Sequence, residues 1–371
     1  MRTAVAAGEA RPLRIGLSLT RSVAVLGGGA LLLAVILVLG VGLGSTQVSV
    51  GDTAAILAHR LLGLPIPQTW PATAETIVFD IRLPRVLTAM LVGGGLAMAG
   101  TVFQAVLRNP LADPYVIGTA AGASFGAALG IVAPLLVPAL AIGAGSELLG
   151  LGVVQLLAFG GGLGTVLLVY AVARSAGRVQ VITLLLTGYA VSSVLAAMVA
   201  LLMFMSGRAL GAIFGWLMGS LANASWTALS FATPLLLVSF VLLLARWRRI
   251  NLLLLGDAQA ASLGVDVERE KLVLTMLATL ATSAAVAVSG TIGFVGLVVP
   301  HLLRLLIGPD HRLLLPASLL TGAGLLVLAD LGARLLPGGG IPVGVVTALI
   351  GAPFFLWLLR RSRLTRVDAG A

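Results

Sequence analysis

Ten apolar stretches, each long enough to cross the hydrocarbon core of a bilayer, dominate this sequence. A helix of about 20 apolar residues covers the roughly 30 Å of hydrocarbon. The stretches lie at 23–44, 86–107, 115–138, 148–173, 182–205, 227–245, 271–289, 291–307, 313–332 and 342–359. Only 10% of the residues are charged, whereas soluble domains carry about 25%. The predicted fold class is therefore an all-α polytopic membrane protein, with about ten transmembrane helices in a single domain over residues 23–361.

The basic residues are distributed unevenly between the two sides of the membrane. If both chain ends lie inside, 18 of the 23 Lys and Arg residues fall in inside segments. An excess of Lys and Arg marks cytoplasmic loops. We therefore expect cytoplasmic tails at residues 1–22 and 362–371. The net charge of +10 is explained by topology, without nucleic-acid binding.

Several chemistries are excluded by missing residues. The chain has no cysteine, which removes disulfides and thiolate catalysis. Its only lysine, Lys271, does not follow a Gly-rich phosphate-binding loop, so the chain cannot bind ATP in the P-loop manner. A carrier driven by protons or sodium generally needs ionisable groups midway across the membrane, and only Asp330 is a candidate. A passive channel, a secondary carrier and a subunit driven by a separate ATPase all stay open at this point.

Residues 246–271 form the longest strongly charged interruption of the apolar pattern and are expected to face the cytoplasm. Within them, Asp257 can serve as an N-cap and Gly264 as a left-handed stop, which predicts a helix of about two turns. So short a helix needs a partner to pack against. Its small side chains and one larger anchor, Leu263, suit docking into a groove of another protein. The alternative is a linker helix on the membrane surface.

Glycine spacing predicts close helix packing. Gly118, Gly122, Gly126 and Gly130 recur every fourth residue and place a backbone-accessible face on the third stretch. A cluster at 93–95 does the same for the second stretch. Between the seventh and eighth stretches, residues 289–293 leave room only for a tight turn or a broken helix. The outside connection at 45–85 holds Pro65, Pro67 and Pro71, which predicts an irregular or short-helical cap.

Few ionisable or metal-ligating residues fall near the apolar stretches. Asp330 and Arg334 are four residues apart and are expected to form a structural ion pair. His301 follows Pro300 and has no second ligand at metal-binding spacing, so a hydrogen-bonded helix residue is expected and no metal site. Arg82 and Arg85 lie at the outer mouth of the second stretch. They can anchor the helix at the interface or, with Arg334, bind carboxylates of an outside partner.

Four long motifs resemble one known family. They are RLPRVLTAMLVGGGLAMAGTVFQAVLRNPLADPYVIGTAAGASFGA (82–127), NLLLLGDAQAASLGV (251–265), GTIGFVGLVVPHLLRLLIGPDHRLLLPASLLTGAGLLVLADLGAR (290–334) and IPVGVVTALIGAPFFLWLLRR (341–361). These motifs closely resemble FecCD-type permeases, the membrane subunits of ABC importers for iron-siderophores, haem and cobalamin. The resemblance runs from the first apolar stretch almost to the end of the chain.

The resemblance implies a type II ABC importer permease with partners. It implies a homodimer of ten-span subunits with one pathway between them, in the inner cell membrane of a prokaryote. It also implies two ATPase subunits, which hold ATP and Mg, and one extracytoplasmic substrate-binding protein; this chain would bind no cofactor and have no catalytic residues of its own. The expected cargo is a ferric siderophore, the commonest in the family, with haem or cobalamin as alternatives.

The resemblance also assigns residues to sites. The ATPase-docking helix maps onto Gly256, Asp257, Ala258, Gln259, Ala261, Leu263 and Gly264. The contacts to the binding protein map onto Arg82, Arg85 and Arg334. The cytoplasmic gate maps onto Asn109, Leu111, Val181 and Ile182, although the last two are apolar here where relatives can have small polar residues.

Overall fold

The computed structural model describes residues 19–44, 46–136, 152–175, 178–336 and 340–367. Most of the expected cytoplasmic tails, 1–18 and 368–371, and the link between the third and fourth apolar stretches lie outside the described residues. In chain order the helices are α1 (Leu19–Gly42), α2 (Val50–Leu62), α3 (Ala72–Glu75), α4 (Leu83–Val106), α5 (Thr119–Leu136), α6 (Val153–Ala173), α7 (Val181–Met205), α8 (Leu210–Leu217), α9 (Trp226–Ala245), α10 (Trp247–Leu253), α11 (Asp257–Ser262), α12 (Val267–Ser289), α13 (Val295–Ile307), α14 (His311–Leu335) and α15 (Val343–Val367).

Seven described helices are long and apolar enough to cross a membrane, and α5, α13 and α15 are shorter apolar helices. Together they account for the ten predicted stretches, and the all-α polytopic prediction is confirmed. The described residues add one small departure, a two-residue antiparallel pair between β1 (Arg174–Ser175) and β2 (Arg178–Val179). Helices dominate because a backbone in lipid must satisfy its own polar groups within the segment.

The helix that contains the second apolar stretch is longer than predicted. It runs without interruption over Ala72–Val106, so the expectation of an irregular cap up to residue 85 is wrong for its last part. A π-helical turn at Thr76–Arg82 widens the helix, and the N–H of Leu83 donates to Val78 O, five residues earlier. Such a turn lets the helix pass Pro84, which has no N–H to donate.

The rest of the outer segment is a packed cap. Helix α2 ends at Gly63, whose φ of 65° stops it in the left-handed region. The buried Trp70 donates from Nε1 to Glu75 Oε2 at 3.3 Å, and Arg60 also pairs with Glu75. This cap fixes the outer end of α4 from one side.

Glycines bring the central helices together backbone to backbone, as predicted. A methyl group on Gly126 would overlap the Leu157 carbonyl of α6, and one on Gly93 would overlap the Gly322 carbonyl of α14. Helices α4, α12 and α14 are the most buried long helices of the described chain. The prediction fails for Gly118 alone, which precedes α5 with a φ of 96° and is not on its face.

Two non-helical segments of the core, one between α4 and α5 and one between α12 and α13, form hydrogen bonds with each other. The sequence predicted a tight turn or a broken helix between the seventh and eighth stretches, and the structure has a five-residue break there: α12 ends at Ser289 and α13 begins at Val295, with Gly290 and Phe294 both at a φ of 69°. From the segment between α4 and α5, the Tyr115 hydroxyl donates to Ile292 O at 3.0 Å and accepts from its N–H at 3.2 Å. Buried backbone groups outside helices need such partners.

Candidate docking and gating sites

The predicted docking helix exists, as α11, but it starts differently from the prediction. Its N-cap is Gly256, with a φ of 112°, and no side chain caps it. Asp257 is the first helical residue, so its prediction as the N-cap is wrong. Gly256 adopts a left-handed conformation just before the helix. The Asp257 carboxylate lies beside Lys271 and Arg108 and not over the end of its own helix.

The end of α11 follows the prediction closely. Gly264 has a φ of 84°; its N–H donates to Ala261 O at 3.0 Å, and the N–H of Val265 donates to Ala260 O at 3.1 Å. This is the Schellman pattern, in which a left-handed glycine satisfies the last carbonyls of a helix. A short helix closed in this way keeps its last turn when a partner approaches.

One face of α11 is free in the described chain. Only Ala260 is buried, whereas Leu263 is 59% exposed, next to an exposed Leu255 from the preceding turn. The other exposed members of the helix and its end are Ala258, Gln259, Ala261, Ser262 and Gly264. Small side chains around one protruding leucine form a surface on which another protein can dock closely.

The Asp257 carboxylate joins three segments. Its Oδ2 accepts from Lys271 Nζ at 2.7 Å, and its Oδ1 lies 3.3 Å from Arg108 Nη2. Lys271 belongs to α12 and is only 5% exposed, whereas Arg108 directly follows α4 and is partly exposed. The docking helix is therefore linked by charge both to a core helix and to the segment that holds the predicted gate residues.

Two further polar clusters fix the docking segment, residues 246–271: one joins its two ends, and the other joins it to the start of α14. The buried Glu270 accepts from Arg246 and Arg249, at 3.2 and 2.9 Å. Asn251 donates to Asp310 Oδ1 at 2.8 Å and its Oδ1 accepts from the backbone N–H of His311 at 3.0 Å. Charged side chains on this segment are thus used largely to fix its position on α12 and α14.

The first pair of predicted gate residues lies on a tight loop, residues 107–113, which we call the gate loop. Asn109 Oδ1 accepts from the N–H of Leu111 at 3.0 Å, a side-chain turn that leaves Asn109 exposed. Arg108 adopts a φ of 48°, which is uncommon for a residue with a Cβ. His301 Nδ1 lies 3.3 Å from Pro110 O and joins α13 to the loop, in line with its predicted role as a hydrogen-bonded helix residue.

The gate loop ends at a carboxyl group with an altered pKa. Burial raises the pKa of the Asp113 carboxyl to about 6, and the hydrogen bond from the N–H of Tyr115 opposes that rise. This bond is 2.8 Å long, and its acceptor is Asp113 Oδ1. The loop thus carries a group that titrates close to physiological pH.

The second predicted gate pair lies at the start of α7. Val181 is half-buried against the core, and Ile182 is 66% exposed. The exposed face of α7 continues through Leu186, Tyr189 and Ser193. Ile182 therefore faces out of the single described chain, where another chain or lipid must cover it.

At the outer side, Arg82 is used inside the chain. It is 4% exposed, and its guanidinium donates to Val41 O at 3.2 Å, to Gly42 O at 3.1 Å and to Thr46 O. These carbonyls lie at and just beyond the end of α1, where helix carbonyls have no helical partner. Arg82 acts as a C-terminal cap for α1, with a favourable charge for that end of the helix dipole.

Arg85 and Arg334 share one carboxylate. Asp330 is 1% exposed and pairs with Arg85 at 2.8 Å and with Arg334 at 3.0 Å. The predicted pair of Asp330 with Arg334 is confirmed; Arg85 is an additional partner. Arg334 also donates to Gly40 O and Leu43 O, at 3.0 and 3.2 Å. We call Arg85, Asp330 and Arg334, together with Arg82, the outer arginine cluster.

The outer arginine cluster opens onto a cavity of about 340 Å³. Its lining includes all three arginines and the exposed Ile81. One buried carboxylate faces three guanidinium groups there, so the cavity has an excess of positive charge. It can accept an acidic side chain of a partner from outside.

Sequence reasoning missed Arg108, Lys271 and Glu270. A weak signal existed for Lys271, because it is the only lysine of the chain and lies at the start of a predicted span. In the sequence, Arg108 counts only as one of the 18 basic residues of the inside segments. Nothing local in the sequence indicates these contacts. Arg108 and Lys271 both meet Asp257, and the Arg108 contact joins residues about 150 positions apart.

The comparisons with known proteins follow this geometry. A model of the FecCD transport family matches residues 32–361. The chain is 46% identical over 296 residues to the cobalamin import system permease protein BtuC of Halobacterium salinarum, with 80% of this chain and 76% of the relative covered. It is 41% identical over 317 residues to the Fe(3+) dicitrate transport system permease protein FecD of Escherichia coli, with 83% and 95% covered.

A solved structure shares the fold. It is described as an inward-facing conformation of a metal-chelate type ABC transporter, and it superposes with a TM-score of 0.76 at 35% identity. The match covers 91% of this chain and 99% of the other. The ten membrane-depth helices and the docking segment therefore belong to a known architecture.

Proposed function

Because this chain belongs to the FecCD transport family, we propose that it is the permease subunit of an ABC importer that carries a ferric siderophore into the cytoplasm. The coarser statement, a multi-span permease of an ABC importer for an iron chelate, haem or cobalamin, follows from the family and from the fold. The inner membrane of a prokaryote is the location that fits such a subunit.

The observation that carries the proposal is the free face of α11. A short helix with a closed C-terminus, an exposed Leu263 and charged tethers at its base is what an external ATPase needs in order to push on the bundle. We infer that two ATPase subunits bind ATP and Mg and that this chain contributes no catalytic group. Closure of the ATPase pair would then shift the equilibrium between outward- and inward-facing states.

The exposed face of α7 supports a pathway between two copies of the chain. It presents Tyr189 and Ser193 among apolar residues such as Ile182 and Leu186. Weakly polar groups suit a wide pathway that does not hold its cargo tightly. In the proposed homodimer, Ile182 and Val181 of each copy form the cytoplasmic gate with Asn109 and Leu111.

The outer arginine cluster supports docking of an extracytoplasmic substrate-binding protein. Arg85 and Arg334 line the positively charged outer cavity, and we infer that acidic residues of the binding protein meet them there. Arg82 contributes indirectly, since it holds the end of α1 beside the cavity. The same cluster argues against a proton-driven carrier, because both oxygens of the Asp330 carboxylate are engaged by two arginines.

The cargo proposal rests on the relatives. One relative is named as a permease of a cobalamin import system, and another as a permease of an Fe(3+) dicitrate transport system. In Fe(3+) dicitrate, an organic acid chelates ferric iron. A metal held by an organic chelator is common to both. We propose a ferric siderophore first and keep cobalamin and haem as the alternatives.

The test is uptake by cells with and without this gene. Radio-iron would be supplied as a panel of siderophores and as haem, with labelled cobalamin alongside, in three arms: untreated, ATP-depleted and treated with a protonophore. We expect deletion to remove uptake of one ferric siderophore, and we expect that uptake to depend on ATP and to resist the protonophore. Uptake that survives ATP depletion would contradict the proposal, and loss of cobalamin or haem uptake would replace the cargo.

A further inference from the structure

Asp257 occupies a position that neither docking nor gating explains by itself. It lies at the base of α11, where its side chain is 44% exposed, and it does not belong to the free face around Leu263. Its two oxygens are divided between Lys271 of α12, at 2.7 Å, and Arg108 of the gate loop, at 3.3 Å. One carboxylate thus connects the docking helix, a core helix and the gate loop.

The backbone on both sides of this bridge is fixed in unusual conformations. Gly256, directly before Asp257, has a φ of 112°, and Arg108 has a φ of 48°. A left-handed residue with a Cβ carries strain, and such strain persists where the surroundings hold it. A Cβ on Gly256 would also lie 2.6 Å from Gln259 Oε1 and 3.5 Å from Arg108 Nη1. The Arg108 guanidinium therefore lies close to Gly256 as well as to the Asp257 carboxylate.

The other polar tethers of the docking segment lead elsewhere. Glu270 joins Arg246 and Arg249 to the start of α12, and Asn251 joins α10 to the turn before α14. Among the described residues, the ion pair of Asp257 with Arg108 links α11 to the gate loop. Lys271, which is nearly buried, holds the carboxylate in place on the opposite side.

We propose that Asp257 is a positioning residue that couples the docking helix to the gate loop. The inference rests on the proposed function and deepens it. When α11 moves with an ATPase, Asp257 moves with it and pulls Arg108, and the adjacent Asn109 and Leu111 follow. Lys271 keeps the carboxylate oriented toward Arg108. Without this link, ATP hydrolysis can continue, but each hydrolysis event moves the gate loop less.

The experiment uses the complete transporter, with its ATPase and binding protein, in proteoliposomes. The readout is the coupling ratio, the number of radio-iron siderophore molecules taken up per ATP hydrolysed. The variants are Asp257→Asn, Arg108→Gln, the double variant and Asp257→Glu. Arg108→Gln leaves the buried Lys271 paired, so it tests the bridge even if Asp257→Asn folds poorly. Arg208→Gln is the matched control, because Arg208 is an exposed arginine in the outer connection between α7 and α8 and belongs to neither the docking segment nor the gate loop.

A second readout does not depend on transport. Hydrogen exchange of the gate-loop amides reports its local opening, and these amides include the N–H groups of Asn109 and Ala112, which donate to Gln104 O and Asn109 O at 3.1 Å. Arg108→Gly is included here, since it removes both the guanidinium and the left-handed strain. Comparison with Arg108→Gln separates the charge link from the backbone conformation.

We expect Asp257→Asn and Arg108→Gln each to lower the coupling ratio and to speed gate-loop exchange by about threefold, a size in the range of a partly exposed ion pair. ATPase association should persist, Asp257→Glu and Arg208→Gln should resemble the wild type, and the double variant should fall no further, as for two members of one link. An unchanged ratio and unchanged exchange in both single variants, or additive effects in the double variant, would overturn the coupling role. Absence of ATP-dependent uptake by the wild type would instead overturn the proposed function and the coupling role with it. Faster gate-loop exchange in Asp257→Asn and Arg108→Gln would in that case still show that the ion pair holds the gate loop.

Discussion

At the scale of single residues, the buried charges of this chain are shared among several partners. Asp330 was predicted to pair with Arg334, and it also binds Arg85. Helical spacing reveals a neighbour four residues away, but it does not reveal a partner on another helix 245 positions away. Arg82 shows the same limit, because its role as a cap of α1 depends on how α1 and α4 pack.

Replacing Asp330 with Asn should destabilise the protein strongly. The change leaves Arg85 and Arg334 close together without a counter-charge, and breaking a buried ion pair costs about 3–5 kcal/mol. Thermal unfolding in detergent would measure it. Asp80→Asn is the control, since Asp80 is exposed on the outer side of the same chain; equal unfolding temperatures for the two variants would contradict the account of the cluster.

Replacing Asp113 with Asn should stabilise the protein at neutral pH. The pKa of Asp113 is about 6 in the fold against a usual 3.8, so the folded state binds this proton more tightly and stability falls as pH rises through that window. Asn keeps an acceptor for the N–H of Tyr115 and carries no charge. The unfolding temperature of Asp113→Asn should exceed that of the wild type at about pH 7.5, with a smaller difference near pH 4. The same difference at both pH values would rule out this titration as the cause.

At the scale of elements, apolar length and glycine spacing predicted the helices and their close packing. The ten stretches became seven helices long enough to span a membrane and three shorter apolar helices, and Gly93 and Gly126 lie at backbone contacts as expected. The unpredicted features are the π-helical turn before α4 and the left-handed start of α11 at Gly256. Both depend on backbone angles that tertiary contacts select, and residue type alone permits several such angles.

Gly126→Ala should weaken the packing of α5 on α6. The added methyl would overlap the Leu157 carbonyl, and forcing extra volume into a packed contact costs about 1–3 kcal/mol. Gly160→Ala is a matched control on α6, because a Cβ there meets nothing within 4 Å. A loss of unfolding temperature in Gly126→Ala but not in Gly160→Ala is expected, and equal behaviour would contradict the backbone contact.

Leu263→Arg should abolish association with the ATPase. A long charged side chain at the centre of the small-residue face of α11 would prevent close docking. Co-purification of the ATPase with the variant measures this. Leu61→Arg provides the control, because Leu61 is 56% exposed, nearly as much as Leu263, but lies on α2 in the outer cap. Retention of the ATPase by a correctly inserted Leu263→Arg variant would remove α11 as the docking site.

At the scale of the whole molecule, the account joins three regions of one bundle. In the proposed transporter, the outer arginine cluster would face a binding protein, the α7 face and the gate loop would border the pathway, and α11 would face the ATPase. Charge distribution and the missing phosphate-binding loop predicted the orientation and the need for a partner. Cargo could not be predicted in this way, because the described chain offers weakly polar surfaces along the pathway face and no specific chelate site follows from its residues.

The most direct test of the central claim is ATP-driven transport in proteoliposomes that contain this chain, its ATPase and its binding protein. Uptake of a radio-iron siderophore would be followed with internal ATP and Mg, with a non-hydrolysable ATP analogue and without the binding protein. The account predicts accumulation only when ATP can be hydrolysed and the binding protein is present. Accumulation that proceeds equally with the analogue, or that follows an imposed proton gradient without ATP, would contradict it.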